Sequence, residues 1–167
     1  MTARQGMGKT TFLRAQIERW QALEKTVGGI LAPVVIQSGR RVGYDLLDIW
    51  AGHQLPLART APEPVAGAGG CPFRFYEEAL ELGTRAIMQA VREGLDIVVI
   101  DEIGPLELGG GGWAAALEFT LLHSTSAQEL ILVVRPSIVE QVPARFPDRR
   151  WLAARHITSP WPAELRF

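Results

Sequence analysis

A glycine-containing segment near the start of the sequence constrains the fold more than any other feature. The stretch Ala3-Arg4-Gln5-Gly6-Met7-Gly8-Lys9-Thr10 matches a phosphate-binding loop, with alanine at the usual first glycine. Gly6 and Gly8 let the backbone curl until successive N–H groups point inward at phosphate oxygens, and the following helix adds its positive end. Such a loop joins a strand to a helix, so the segment predicts a nucleotide-binding α/β fold.

The residue types in this loop have chemical roles toward a nucleoside triphosphate and Mg²⁺. Lys9 reaches the β- and γ-phosphates, the Thr10 hydroxyl binds Mg²⁺, and Thr11 offers an amide and a hydroxyl near the α-phosphate. The alternative interpretation is an ordinary glycine turn followed by a helix cap. The predicted nucleotide-binding residues are Gln5, Gly6, Met7, Gly8, Lys9, Thr10 and Thr11.

One departure from the pattern concerns the strand that normally leads into such a loop. Only Met1 and Thr2 precede the motif, so we expect the first strand to be missing from this sequence. Either the chain is a fragment, its start has been assigned wrongly, or another segment replaces the strand. We expect the chain to be less stable than a version that carries an N-terminal strand.

A second motif consists of four apolar residues followed by two acids, in the segment Ile97-Val98-Val99-Ile100-Asp101-Glu102. Ligands of parallel α/β sheets bind beyond the carboxyl ends of the strands, so both acids should emerge beside the phosphate loop. Asp101 would hold Mg²⁺ through water, and Glu102 would orient and polarise the attacking water. Strands also end in solvated acids, but the two motifs in this order favour Mg-nucleotide binding. The predicted catalytic residues are Glu102 and Lys9, and the predicted metal ligands are Thr10 and Asp101.

The rest of the sequence alternates helical and strand patterns within a single domain, 1–167, without an internal repeat. Gly28-Gly29 is interpreted as a break in secondary structure. The stretch 52–72, which is rich in Pro, Gly and Ala, is interpreted as a surface loop. Helices are predicted at 9–23, 76–93 and 113–123, with a short one from Pro136. Strands are predicted at 95–100, 130–134 and 152–157, and a β-hairpin at 30–36 and 42–49 around a turn at 37–41. Together these patterns indicate an α/β fold with a mainly parallel sheet and an added β-hairpin.

Composition and charge narrow the classes of partner and compartment. The formal net charge of -1 gives no electrostatic reason to expect nucleic acid or an anionic membrane. The single cysteine, Cys71, cannot form an internal disulfide, which favours a reducing compartment. No apolar run approaches the roughly 20 residues that span a bilayer, and the start has no apolar stretch of signal-peptide type. We expect a cytoplasmic protein that binds a nucleoside triphosphate, without a nucleic-acid or membrane partner; any protein partner is unknown.

Several motifs together resemble a known family, the thermophilic-type nucleoside-triphosphatases, which include the cancer-related nucleoside-triphosphatase. The resemblance runs in order from the phosphate loop to about Phe146. It is carried by Gly8-Lys9-Thr10-Thr11, Val27-Gly28-Gly29, Gly39-Arg40-Arg41-Val42-Gly43-Tyr44-Asp45 and Asp101-Glu102-Ile103-Gly104-Pro105-Leu106-Glu107-Leu108.

The resemblance implies a RecA-like P-loop fold with an added hairpin. It also implies slow Mg-dependent hydrolysis of several nucleoside triphosphates, including ATP and GTP, to the diphosphate and phosphate. Lys9, Thr10, Asp101 and Glu102 match the family's motif positions. Pro105-Leu106 stands where the family usually has Lys-Met, which indicates a divergent bacterial-type branch and bears on substrate preference.

Other polar residues have weaker assignments. Arg135 follows a predicted strand and should emerge on the ligand side, where it would either sense the γ-phosphate or form a surface ion pair. Glu107 fits a loop or helix-capping role. Arg40 and Arg41 lie on the hairpin turn, where we expect solvent exposure, although the resemblance favours a structural or substrate-facing role. Cys71 has no evident base partner, and the histidines have no metal-site spacing: His53, His123 and His156.

Two functions compete with hydrolysis. A small-molecule or nucleotide kinase on the same fold would need a basic lid, but the insert 52–72 carries only Arg59 and His53 as basic residues. A nucleotide-dependent switch or binding module for a partner enzyme is compatible with slow turnover. The preferred base, the pathway and the oligomeric state stay open at this stage.

Overall fold

The computed structural model describes residues 9–61 and 72–151. Residues 3–8 of the predicted phosphate loop lie outside the described residues, as do Cys71, His156 and the predicted strand 152–157. The helices are α1 Lys9–Ala22, α2 Glu77–Arg92, α3 Pro105–Leu108, α4 Ala114–His123 and α5 Gln141–Arg145, with a 3₁₀ turn at Pro136–Ile138. The strands are β1 Val27–Leu31, β2 Val34–Gln37, β3 Arg40–Asp48, β4 Gln54–Thr60, β5 Phe73–Phe75, β6 Ile97–Ile103 and β7 Glu129–Val134.

All described strands belong to one mixed sheet in the order β5-β4-β3-β1-β6-β7, and β2 pairs with β3. Strands β1, β6 and β7 are parallel neighbours, as the buried apolar run before Asp101 predicts. The other pairings, β1–β3, β2–β3, β3–β4 and β4–β5, are antiparallel. The sheet therefore has a parallel half, where a ligand edge is expected, and an antiparallel extension beyond β1.

Two helical layers cover the two faces of this sheet. Helix α1 lies on one face, and its buried apolar residues are Leu13, Ile17 and Trp20. They pack against five sheet residues, Val27, Leu31, Ile97, Val99 and Val133. Helices α2 and α4 cover the other face, where Ile87 and Trp113 pack with Leu46 and Ile100. None of the helices in the described part of the chain has the length and apolar character to cross a bilayer.

The predicted hairpin is confirmed, but it is part of a larger antiparallel extension. Ser38 and Gly39 form a two-residue turn with φ of 50° and 72°, and β2 and β3 pair on either side of it. The predicted strand 30–36 is in fact split between two strands. Pro33 offers no N–H for strand pairing, and the strand is interrupted there between β1 and β2. The surface-loop prediction is wrong for residues 54–60, which form β4 between β3 and β5.

The interpretation of Gly28-Gly29 as a break in secondary structure is wrong, because both glycines lie inside β1. A Cβ on Gly28 would lie 2.6 Å from Leu95 Cδ1 and 2.8 Å from Ala90 Cβ. Gly29 has φ of 95°, and a Cβ there would lie 2.1 Å from the carbonyl oxygen of Val99. The glycines are needed because β1 approaches both β6 and the end of α2 more closely than a side chain allows.

Candidate active site

The two sequence motifs meet at the carboxyl edge of the parallel strands. Helix α1 starts with Lys9 and Thr10 at the point where β6 delivers Asp101 and Glu102. The Thr10 hydroxyl donates to Asp101 Oδ2 at 2.9 Å, although 91 residues separate them in sequence. Lys9 Nζ lies 3.6 Å from Glu102 Oε1. The structure therefore brings together the four described residues that the sequence singles out for metal binding and catalysis.

Asp101 is fully buried and only partly satisfied by hydrogen bonds. Its Oδ2 accepts from the Thr10 hydroxyl and from the backbone N–H of Ala32, 3.1 Å away. Within the described residues Oδ1 has no hydrogen-bond partner. Burial, followed by the neighbouring charge of Glu102, raises the pKa of Asp101 to about 6. A buried carboxylate with an unpaired oxygen beside a hydroxyl fits a bound cation, which would offset the cost of burial.

The donor set suits Mg²⁺ better than a transition metal. Mg²⁺ in nucleotide sites takes one or two protein oxygens and completes its shell with phosphates and water. The Thr10 hydroxyl and the Asp101 carboxylate supply such oxygens. Over residues 9–61 and 72–151, no group of three or more His, Cys, Asp or Glu residues could hold a metal by itself.

Glu102 owes its position to an irregularity in β6. The pairing of β6 with β7 shifts between Ile100 and Ile103, so one extra residue is accommodated. Glu102 itself has φ of 64°, a conformation that costs a non-glycine residue about 1–2 kcal/mol. Its carboxylate meets two cations, Lys9 at Oε1 and Arg135 Nε at 3.4 Å from Oε2. The bulge therefore turns the carboxylate out of the strand toward Lys9.

Lys9 is buried, with 7% of its surface exposed. A buried ammonium group requires compensation, and the Glu102 carboxylate supplies it. The first turn of a helix presents N–H groups without intrahelical partners, so the same point favours an anion. Lys9 thus lies where a phosphate group would meet both a cation and the amino-terminal end of α1.

Arg135 follows β7 directly, and its backbone N–H donates to Ile103 O. Its side chain lies over Gly104, where a Cβ would stand 3.1 Å from Arg135 Nε. Gly104 is held in turn by Glu107, whose Oε2 accepts the Gly104 N–H at 2.7 Å. Burial raises the pKa of Glu107, and the backbone N–H groups that it accepts act in the opposite direction. The helix-capping role predicted for Glu107 is therefore what the structure shows for α3.

Two contributors to this site are not evident in the sequence motifs. The Ala32 N–H, after β1, reaches Asp101 because β1 pairs with β6. Gly104 supports Arg135 through the absence of a side chain. The signal for Gly104 was its place two residues after Glu102, within the stretch that carries the family resemblance. Arg41 is not simply solvated, because it stacks over Tyr44 and Phe73 in the antiparallel extension.

A family model described as NTPase matches residues 1–157 of this chain. Nucleoside-triphosphatase THEP1 of Methanopyrus kandleri is 32% identical over 117 residues, which cover 70% of this chain and 63% of that protein. The same-named protein of Thermofilum pendens is 38% identical over 111 residues, covering 65% and 58%. The cancer-related nucleoside-triphosphatase homolog of Mus musculus is 30% identical over 115 residues, covering 65% and 60%. The chain thus spans about 60% of the length of these relatives.

Two solved structures share the fold. The human cancer-related nucleoside triphosphatase has a TM-score of 0.64 at 25% identity, over 86% of this chain and 82% of that one. THEP1 from Aquifex aeolicus has a TM-score of 0.65 at 21% identity, over 94% and 86%. These similarities confirm the predicted RecA-like α/β fold with helices on both faces of the sheet.

Proposed function

The chain belongs to the NTPase family, and from this premise we propose that it hydrolyses nucleoside triphosphates to the diphosphate and phosphate with Mg²⁺. The observation that carries the proposal is the contact of Glu102 with Lys9, 3.6 Å apart, beside the Thr10–Asp101 hydrogen bond. A cation that can bind phosphate, a pair of metal ligands and a carboxylate base then surround one point. The names of the relatives support the same activity.

In this proposal the substrate binds with its phosphates at the start of α1. Lys9 binds the β- and γ-phosphate oxygens, and residues 5–8 and Thr11 contribute backbone amides, with the Thr11 hydroxyl near the α-phosphate. Thr10 and Asp101 would hold Mg²⁺, with Asp101 acting through water. When bound, the ion would supply neutralising charge to the phosphates.

Glu102 acts on the water. Its carboxylate accepts a hydrogen bond from the attacking water and orients it toward the γ-phosphorus. A bond forms between the water oxygen and phosphorus, and the bond from phosphorus to the β-phosphate oxygen breaks. The diphosphate leaves with that electron pair, and the proton lost by water passes to Glu102 or to the released phosphate. With only 17% of its side-chain surface exposed, Glu102 is well placed for one ordered water.

The test is phosphate release from ATP, GTP, CTP and UTP by the parent chain and by Glu102→Gln. The variant keeps the shape of the side chain and loses the charge, so turnover should fall on the order of 10²-fold or more while nucleotide binding persists. Glu81→Gln, exposed on α2, serves as the matched control and should behave as the parent. Diphosphate formation only with an added phosphate acceptor would indicate a kinase. Binding without turnover in the parent would indicate a switch or binding module and reject hydrolysis.

A further inference from the structure

The proposed mechanism leaves one cation at the site without a role. Arg135 lies beside Glu102 on the opposite carboxylate oxygen from Lys9. Within the described part of the chain its side chain makes one hydrogen bond, from Nε to Glu102, at the long distance of 3.4 Å. About half of the side chain, 48%, is exposed. A guanidinium has five N–H donors, so most of them remain available to a ligand.

The placement of Arg135 is specific rather than that of a surface side chain. The backbone extends the β6–β7 pairing through the Arg135 N–H, and the side chain lies across Gly104. Gly104 has ordinary extended backbone angles, φ -135° and ψ -170°, so its lack of a side chain is not required by its conformation. A Cβ there would stand 3.1 Å from Arg135 Nε, so a side chain at this position would displace the guanidinium by a few tenths of an ångström.

Behind Gly104 a buried carboxylate fixes this arrangement. Glu107 is 6% exposed, accepts the Gly104 N–H at 2.7 Å, and has its other oxygen against Gly112, where a Cβ would stand 2.2 Å away. A surface ion pair between Arg135 and Glu102 needs no such buried support. The support is what a reacting group requires, because small displacements of a catalytic side chain are costly.

We propose that Arg135 contacts the γ-phosphate and neutralises the charge that develops on it, and that Glu107 is a positioning residue that acts through Gly104. The inference rests on the proposed hydrolysis. Because Lys9 and Arg135 meet opposite oxygens of one carboxylate, a phosphate bound by Lys9 and attacked by water at Glu102 lies within reach of the guanidinium. An arginine from the same chain supplies this charge without a partner subunit.

The first experiment compares Arg135→Ala and Arg135→Lys with the parent under saturating nucleotide. We expect kcat to fall on the order of 10²-fold or more in both, with little change in KM, because a lysine lacks the planar fork of donors. Arg85→Ala is the matched control, since Arg85 pairs with Glu81 at 3.7 Å on the exposed face of α2. Equal kcat for Arg135→Ala and the parent would overturn the proposal.

A binding measurement separates this inference from the hydrolysis that it rests on. Aluminium fluoride with ADP mimics the planar phosphoryl group of the transition state. The parent should bind ADP with aluminium fluoride more tightly than ADP alone, and Arg135→Ala should lose that gain while its affinity for ADP stays the same. Undiminished gain in the variant would reject the role of Arg135. A parent that shows no turnover would reject the proposed function, whatever the variant does.

The positioning role is tested through a double-mutant cycle. Gly104→Ala places a methyl group against the guanidinium, and Glu107→Ala removes the support, so both should lower kcat in the parent. In an Arg135→Ala background neither should lower kcat further. Glu107→Gln keeps an acceptor oxygen for the Gly104 N–H and should restore most of the rate. Losses of kcat that are equal with and without Arg135 would show a purely structural role for Glu107.

Discussion

The hydroxyl of Thr10 donates to Asp101 Oδ2 at 2.9 Å, which ties the first turn of α1 to the end of β6. The same carboxylate oxygen accepts the Ala32 N–H from the chain that follows β1. Three segments that are distant in sequence therefore share one buried oxygen, while the other oxygen of Asp101 has no partner within the described residues. A change in the charge of Asp101 should therefore affect the Mg²⁺ binding that we propose.

Asp101→Asn should weaken Mg²⁺ binding because the buried oxygens lose their charge. We expect the Mg²⁺ concentration for half-maximal phosphate release to rise roughly 10–100-fold, the usual effect of removing a carboxylate that holds a metal through water. Thr10→Ser keeps the hydroxyl and should stay near the parent, whereas Thr10→Ala should not. Removing the metal with a chelator should abolish release in the parent. An unchanged Mg²⁺ dependence in Asp101→Asn would contradict the assignment.

The backbone of Glu102 predicts a reversal in the usual order of glycine and alanine. At φ of 64° glycine is unstrained, so Glu102→Gly should be more stable than Glu102→Ala by about 1 kcal/mol, although both lose the carboxylate. At Glu93, where φ is -77°, the alanine variant should be as stable as the glycine variant or more stable. Chemical denaturation of the four variants measures this. A less stable Glu102→Gly would show that the left-handed conformation does not persist in solution.

Gly29 should tolerate no side chain. Gly29→Ala places a Cβ 2.1 Å from Val99 O, so β1 and β6 must separate, and we expect a loss of about 3 kcal/mol or more or an insoluble chain. Gly39 has a similar positive φ of 72° but no atom within 4 Å of its Cβ position. Gly39→Ala should therefore cost only about 1 kcal/mol. Equal losses in denaturation midpoints would show that conformation rather than space governs Gly29.

Asp96 should contribute to the dependence of stability on pH. Its carboxylate accepts the Thr26 N–H at 2.8 Å and the Thr26 hydroxyl at 2.9 Å, and these bonds, the backbone one first, lower the pKa of Asp96 below 3.8. A lowered folded-state pKa gives stability that is present above 3.8 and is lost as the pH falls through the folded value.

Asp96→Asn should thus be less stable than the parent at neutral pH, and the difference should shrink in acid. Urea denaturation at several pH values follows both chains, with Glu118→Gln on α4 as the control. A gap that stays constant down to a pH well below 3.8 would show that the charge of Asp96 has no part in this stability.

Local signals were sufficient for much of the parallel half of the fold. The apolar run before Asp101 places β6, and the predicted helix 76–93 places α2, within a few residues of their observed bounds. The order of the two motifs also predicts that Lys9 and Glu102 meet. These features depend on neighbouring residues and on a general property of parallel sheets.

What the sequence did not predict depends on contacts between distant segments. Pro56 and the Pro-, Gly- and Ala-rich stretch to which it belongs obscure β4, which is stabilised by pairing with β3 and β5. Gly28-Gly29 has the composition of a turn, and only the closeness of β6 and of the end of α2 explains its place in a strand. The left-handed conformation of Glu102 has no signal, since glutamate does not favour it. The position of Arg135 was expected, but its support by Gly104 was not.

The packing of α1 has a consequence for how the protein is made. Its apolar stripe of Leu13, Ile17 and Trp20 is covered by residues of β1, β6 and β7, and Val133 comes near the end of the described chain. On the ribosome, this helix emerges shortly before β1 but long before β6 and β7, which complete its cover. Until β6 and β7 have emerged, the nascent chain carries an exposed apolar surface, so aggregation and chaperone capture should occur chiefly on chains that still lack these strands.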